Sequence, residues 1–153
     1  MKVLIAGTFD LFHKGHEFFI ESALEYLQEN SEFHVIIARD SSVQKIKNKI
    51  PEDSENIRQE NIINFLHIKK KFMNKNVKFF VHLGDSKNFL KIPTEIQPQL
   101  ICFGYDQEIP KVLLHAKKNG DFKNCDFKNC DPYFPEIYKT SKMITSKMIT
   151  QQL

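Results

Sequence analysis

Val3-Leu4-Ile5-Ala6-Gly7-Thr8-Phe9-Asp10-Leu11-Phe12-His13-Lys14-Gly15-His16 is the stretch on which the fold turns. Its first half is an apolar run, the signature of a buried strand spanning Lys2 to Ala6. Its second half opens a helical pattern that starts near His16 and runs to about Asn30, with Ile20, Ala23, Leu24 and Leu27 on one face. A strand, a glycine-punctuated turn and a helix N-terminus make a natural anion site. Backbone N–H groups there lack helical partners, and the helix dipole favours negative charge. His13 and His16, three residues apart, can reach one phosphate group from the same side, and Gly15 leaves room for a ligand beside the backbone. A lone histidine at a helix start is ordinarily a polar cap. The combination of Gly-Thr-Phe-Asp with His-x-Gly-His directly after a strand points instead to phosphate binding.

Composition narrows the class. With 153 residues, 41% of them hydrophobic and 14 of them Phe, the chain can bury a proper core. We expect one domain over 1–153, with 120–153 as a variable C-terminal part. A net charge of +3, from 22 basic and 19 acidic residues, is too mild to make nucleic acid the main partner. Apolar runs of a few residues are far short of a membrane span, and no secretory signal is visible. Three cysteines, Cys102, Cys125 and Cys130, are too few for a disulfide scaffold, so the expected location is cytoplasmic. The C-x4-C spacing of the last two, with no histidine close by, does not suit zinc.

Further strands are expected at Phe33–Ala38, Val77–Leu83 and Leu100–Phe103, with His34 serving packing or an edge. Ser41 to Lys49 is a basic segment just past the second strand. Lys45 and Lys47 there can neutralise phosphate or simply belong to a solvated surface. Pro51-Glu52-Asp53-Ser54 reads as a helix start, and the pattern continues to about Met73. Prolines at 93 and 98 limit the next segment to a short helix or turns. Gly104-Tyr105-Asp106-Gln107 places polar groups at another strand's carboxyl end, followed by a short amphipathic helix over Ile109–Asn119 with Gly120 as its C-cap. Asp-Phe-Lys-Asn-Cys occurs twice in tandem, at 121–125 and 126–130, and Thr-Ser-Lys-Met-Ile twice, at 140–144 and 145–149. These copies are too short for a repeat architecture, and we expect them in a surface loop and at a terminus. Asp131 to Tyr138, with two prolines, can form only an edge strand, after which Thr140-Ser141 would cap a final helix. Strands alternating with helices predict an α/β fold: a Rossmann-like, doubly wound parallel sheet of four to five strands in three αβα layers.

At Gly-Thr-Phe-Asp and His-x-Gly-His the chain resembles the nucleotidyltransferase superfamily whose mark is that second motif after the first strand. The resemblance implies the same parallel sheet, and a reaction in which an acceptor phosphate attacks the α-phosphorus of a nucleoside triphosphate and releases pyrophosphate. It makes His13 and His16 catalytic, and it places Gly7, Thr8, Phe9, Lys14 and Gly15 around the nucleotide. Within the superfamily, Ala38-Arg39-Asp40, Val43-x-x-Ile46-Lys47 and Gly104-Tyr105-Asp106-Gln107 resemble the archaeal-type FAD synthases, which are FMN adenylyltransferases. That likeness implies Gly104 and Asp106 at the ATP nucleoside and Arg58, with Asp10, at the substrate. It also implies catalytic Lys45 and Lys47, and Thr140-Ser141 as a phosphate loop. Either Thr-Ser pair can fill the last role; the first directly follows the expected fifth strand. Glycerol-3-phosphate cytidylyltransferase shares the first two blocks and is the runner-up, so the nucleotide is ATP or CTP and the acceptor FMN or glycerol 3-phosphate. Mg²⁺ or another divalent cation would accompany the triphosphate, bound by few protein ligands. A homodimer is possible, and a non-catalytic nucleotide-binding module is the alternative from another class.

Overall fold

Apolar runs that lack polar alternation need cover on both faces, and the molecule is built to provide it. A computed structural model describes residues 1–132. In chain order these form β1 (Lys2–Gly7), α1 (Lys14–Leu24), β2 (Ser31–Ile37), α2 (Asp40–Lys47), α3 (Glu55–Lys70), β3 (Val77–Leu83), α4 (Lys91–Ile96), β4 (Leu100–Phe103), α5 (Lys111–Lys118) and β5 (Asp126–Asn129). All strand pairs are parallel, in the order β3-β2-β1-β4-β5.

Alternation along the strands divides the core. Val3, Ile5, Phe33 and Val35 pack with Ile20 and Ala23 of α1 and Ile62 and Leu66 of α3. Leu4, Ile101 and Phe103 point the other way, onto Ile96 of α4 and Leu113 and Ala116 of α5. The expected doubly wound, three-layer arrangement is therefore observed. Because β2 and β3 lie on one side of β1 and β4 on the other, the chain direction reverses beside β1. In open α/β sheets such a reversal leaves a crevice outside the strands' carboxyl ends, here beyond Gly7 and Phe103.

Some expectations are corrected. The first helix ends at Leu24, short of Asn30, because Tyr26 and Leu27 bond back to Ala23 and Leu24 with three-residue spacing and Asn30 turns the chain at φ 62°. The basic segment after β2 is helix α2, closed by Asn48 in the left-handed region. The third helix ends at Lys70, and its tightened last turn reaches Met73. The Asp-Phe-Lys-Asn-Cys copies are not a surface loop. In the first, Phe122 and Cys125 are buried in the second core cluster; the second supplies β5, registered as Ile101 with Phe127 and Phe103 with Asn129. Identical pentapeptides thus adopt different states because their neighbours differ. Asp126–Asn129 forms a strand ahead of the stretch from Asp131 where a fifth was expected. Tyr133 to Tyr138, both Thr-Ser-Lys-Met-Ile copies and the final helix lie outside the described residues.

His34 is buried, with Nε2 3.0 Å from a Glu32 carboxylate oxygen and Nδ1 3.0 Å from His82 Nε2. An ionised carboxylate only accepts, so His34 donates through Nε2 and accepts from His82 through Nδ1. Cys102 lies in the core, as its place in β4 predicts. No helix among the described residues is long and apolar enough to cross a membrane.

Gly7 is set by close approach. A Cβ there would stand 2.9 Å from the ring of Phe9, which is itself buried. Gly7→Ala is expected to lower unfolding free energy by about 1–3 kcal/mol, the usual range for overpacking. Urea denaturation checks this, and a second change, Phe9→Leu, should recover part of the loss.

Candidate active site

The two imidazoles meet. His13 and His16 stack with ring centroids 3.7 Å apart and planes 26° apart. Phe12 also stacks on His16, at 5.8 Å and 17°, and Phe9 meets it edge-on at 5.6 Å. The backbone fixes both rings. His13 is the N-cap of α1, and its Nδ1 accepts from the Gly15 N–H at 3.1 Å. His16, three positions on, accepts from the His13 N–H through its own Nδ1 at 3.3 Å. This is a capping box in which imidazoles replace the usual hydroxyl and carboxylate.

That arrangement has a chemical consequence. A nitrogen that accepts a backbone N–H carries no proton of its own, so each neutral ring holds its proton on Nε2. Burial pushes the pKa of His16 down to about 3, helped by the neighbouring His13 and by the positive charge of Lys47. Burial lowers His13 as well, opposed by Glu17. Near neutral pH the pair is therefore uncharged and offers Nε2–H donors. The N–H groups of His13 and Gly15, read from the sequence as open to an anion, are taken by the rings; the imidazoles stand in their place.

The remaining expected residues divide by position. Lys45 and Lys47 are both exposed on α2, and Lys47, in its last turn, is close enough to influence His16. Lys14 is exposed and ion-paired with Glu17 at 3.0 Å. Thr8 and Gly15 lie in the loop and first turn, but the Phe9 side chain turns inward onto Phe19 and His16, leaving only its backbone toward the crevice. Gly104 follows β4 and is held by Gln107, whose side chain accepts from the Gly104 N–H at 3.1 Å; Asp106 is exposed in the same turn. Thr140 and Ser141 lie outside the described residues.

Asp10 and Arg58, expected at the substrate, are both buried and held by hydrogen bonds. Asp10 is buried and accepts from the N–H groups of Leu11, Glu52 and Asp53 at 3.1, 2.9 and 2.9 Å. Arg58 has no exposed surface and spends its donors on Thr8, Asp53 and Asp40. Both hold the loop. Asp40 and Phe12 were not singled out as site residues: one pairs across 18 residues and the other stacks through a turn, and neither relation leaves a spacing signal. Among the described residues no group of three or more His, Cys, Asp or Glu is placed to hold a metal ion.

A family model described as cytidylyltransferase-like matches residues 4–110. The chain is 37% identical over 122 residues to an FAD synthase of Methanobrevibacter ruminantium, covering 78% of this chain and 74% of that protein. It is 36% identical over 117 residues to an FAD synthase of Methanosarcina mazei, covering 76% and 67%. Among solved structures it is similar to a lipopolysaccharide core biosynthesis protein from Thermoplasma volcanium, with a TM-score of 0.66, 26% identity and coverage of 87% and 98%.

The depressed pKa of His16 has a sign that can be measured. An unfolded chain protonates this ring near the ordinary value of 6.5, and the folded one near 3. Stability from this group is thus complete above pH 6.5 and is lost as pH falls toward 3. The ring resonances of His16 should show no titration between pH 7 and 5; a midpoint near 6.5 would mean that the ring is not buried as described.

Proposed function

The chain belongs to the cytidylyltransferase-like family, and on that premise we propose that it transfers AMP from ATP to the phosphate of FMN, giving FAD and pyrophosphate. The observation that carries the reading is the pair of stacked, neutral imidazoles with protons on Nε2, at the start of α1 beside the sheet's reversal point. Phosphoryl transfer asks little covalent chemistry of a protein: it requires an acceptor held in line and donors aimed where charge develops. His13 and His16 fill the donor role toward the α- and β-phosphates. Lys47, and Lys45 beyond it, add positive charge toward the triphosphate or the acceptor phosphate. Gly7, Thr8, Lys14 and Gly15 surround the phosphates, Gly104 and Asp106 the nucleoside, and Thr140-Ser141 the leaving pyrophosphate.

A shallow hollow lined by Leu11, Phe12, Asp53 and Asn61 opens at Phe12, which stacks on His16, and can take a flat flavin ring. Divalent cations such as Mg²⁺ enter with the nucleotide, held by phosphate oxygens and water. The whole chain then acts as one domain in the cytoplasm, as a monomer or a homodimer. The FAD synthase relatives favour ATP over CTP, so CDP-glycerol formation ranks behind.

A pyrophosphate-release assay pairing ATP or CTP with FMN or glycerol 3-phosphate tests the reading. FAD is expected from ATP and FMN alone, whereas CDP-glycerol would install the runner-up and silence in all four pairings would favour a non-catalytic nucleotide-binding module. His16→Ala should cost about a hundredfold or more in kcat, as losing one oxyanion-type donor does, with the far-ultraviolet circular dichroism unchanged.

A further inference from the structure

Behind the imidazoles, charges are joined in a chain that the transfer chemistry does not use. Fully buried Arg58 bonds three separate stretches: Nη1 donates to the Thr8 carbonyl at 2.7 Å, Nε to the nearby Asp53 carbonyl at 3.1 Å and Nη2 to Asp40 Oδ1 at 2.6 Å. Asp40 and Glu55 open α2 and α3 and cap each other. The Glu55 N–H donates to Asp40 Oδ2 at 3.3 Å, and the Asp40 N–H to Glu55 Oε2 at 3.1 Å. Arg39 closes the far end, its Nε donating to the Gly84 carbonyl at 2.8 Å and its Nη1 3.5 Å from Glu55. Across the loop, Asp10 binds the turn before α3 through the N–H groups of Glu52 and Asp53.

The bend that these groups grip needs gripping. Phe9 and Leu11 have φ of 55° and 48°, a region that residues with side chains seldom adopt, and they flank Asp10. The chain continues directly from this bend into His13, whose N–H sets the Nδ1 of His16. The same ion pair starts α2, whose last turn carries Lys47.

We propose that Arg58, anchored by Asp40, is a positioning residue: it fixes the Thr8–Leu11 bend so that both imidazoles keep their protons on Nε2, and it sets the lysine helix against them, without touching nucleotide. This rests on the reading that the imidazole pair serves nucleotidyl transfer. Lysine cannot replace it, since an ammonium on a flexible stem does not meet three acceptors in the fixed fork of a guanidinium.

The test uses Arg58→Lys and Asp40→Asn in the full chain, with ¹⁵N-histidine NMR without ligand beside steady-state kinetics on ATP and FMN. Both variants should still melt cooperatively. The His16 ring nitrogens should move from a single Nε2–H tautomer to a mixture, and kcat should fall by roughly tenfold to a hundredfold, the effect of misplacement, with KM for ATP nearly unchanged. A raised KM for ATP with the tautomer intact would make Arg58 a substrate ligand and overturn the proposal. If Arg58→Lys does not fold, Asp40→Asn decides: an unchanged tautomer and kcat there also overturns it. The ligand-free tautomer signal separates this proposal from the reading of the substrate. If wild type makes no FAD yet both variants scramble the His16 tautomer, the substrate assignment fails and the positioning role stands.

Discussion

A helix begins with N–H groups that its own turns cannot satisfy, and here imidazole nitrogens accept them. From that exchange comes most of what the site can do. Because Nδ1 of each ring is committed to the backbone, the tautomer is fixed, the rings stack, and Nε2–H becomes the donor. Burial keeps the rings uncharged, so an anion meets hydrogen-bond donors rather than fixed positive charge. A bound triphosphate would work against that burial, since neighbouring negative charge favours the protonated ring. The committed Nδ1 opposes this, because either ring can take a second proton only by giving up its backbone N–H.

The cap would be of little use without a rigid mounting. The loop that precedes it carries two left-handed residues and is gripped from below by Asp10 and Arg58. Those two reach into the turn before α3, so this loop and the helix pair beyond β2 are tied together. The sheet adds the opening: the reversal between β1 and β4 parts the two strands' continuations, with the imidazoles on one side and the Gly104 turn on the other. An Arg58 left without its acceptors would be a buried charge, which is costly. Breaking the brace would therefore cost stability.

The sequence was informative wherever one periodicity or one short spacing sufficed. Four strands were readable from apolar runs because burial on both faces leaves no room for polar alternation. The histidine spacing pointed to a shared ligand, but not to the caps that orient the rings, since these depend on rotamers. β5 was missed because Asp-Phe-Lys-Asn is polar, short and on an edge, and because its twin a few residues earlier is a turn. The burial of Arg58 was hidden for a related reason. Among Asn56, Gln59 and Glu60 it resembles a solvated residue, yet it shares four-residue spacing with Ile62 and Leu66, the buried stripe of α3. Its partners at Thr8 and Asp40 are brought close only by the fold.

The central claim is geometric, and a crystal structure with a non-hydrolysable ATP analogue meets it most directly. The account predicts phosphate oxygens about 2.7–3.2 Å from Nε2 of both His13 and His16, with each Nδ1 still accepting its backbone N–H. A triphosphate seated away from the rings, or one held through Nδ1 after the cap has opened, would contradict it.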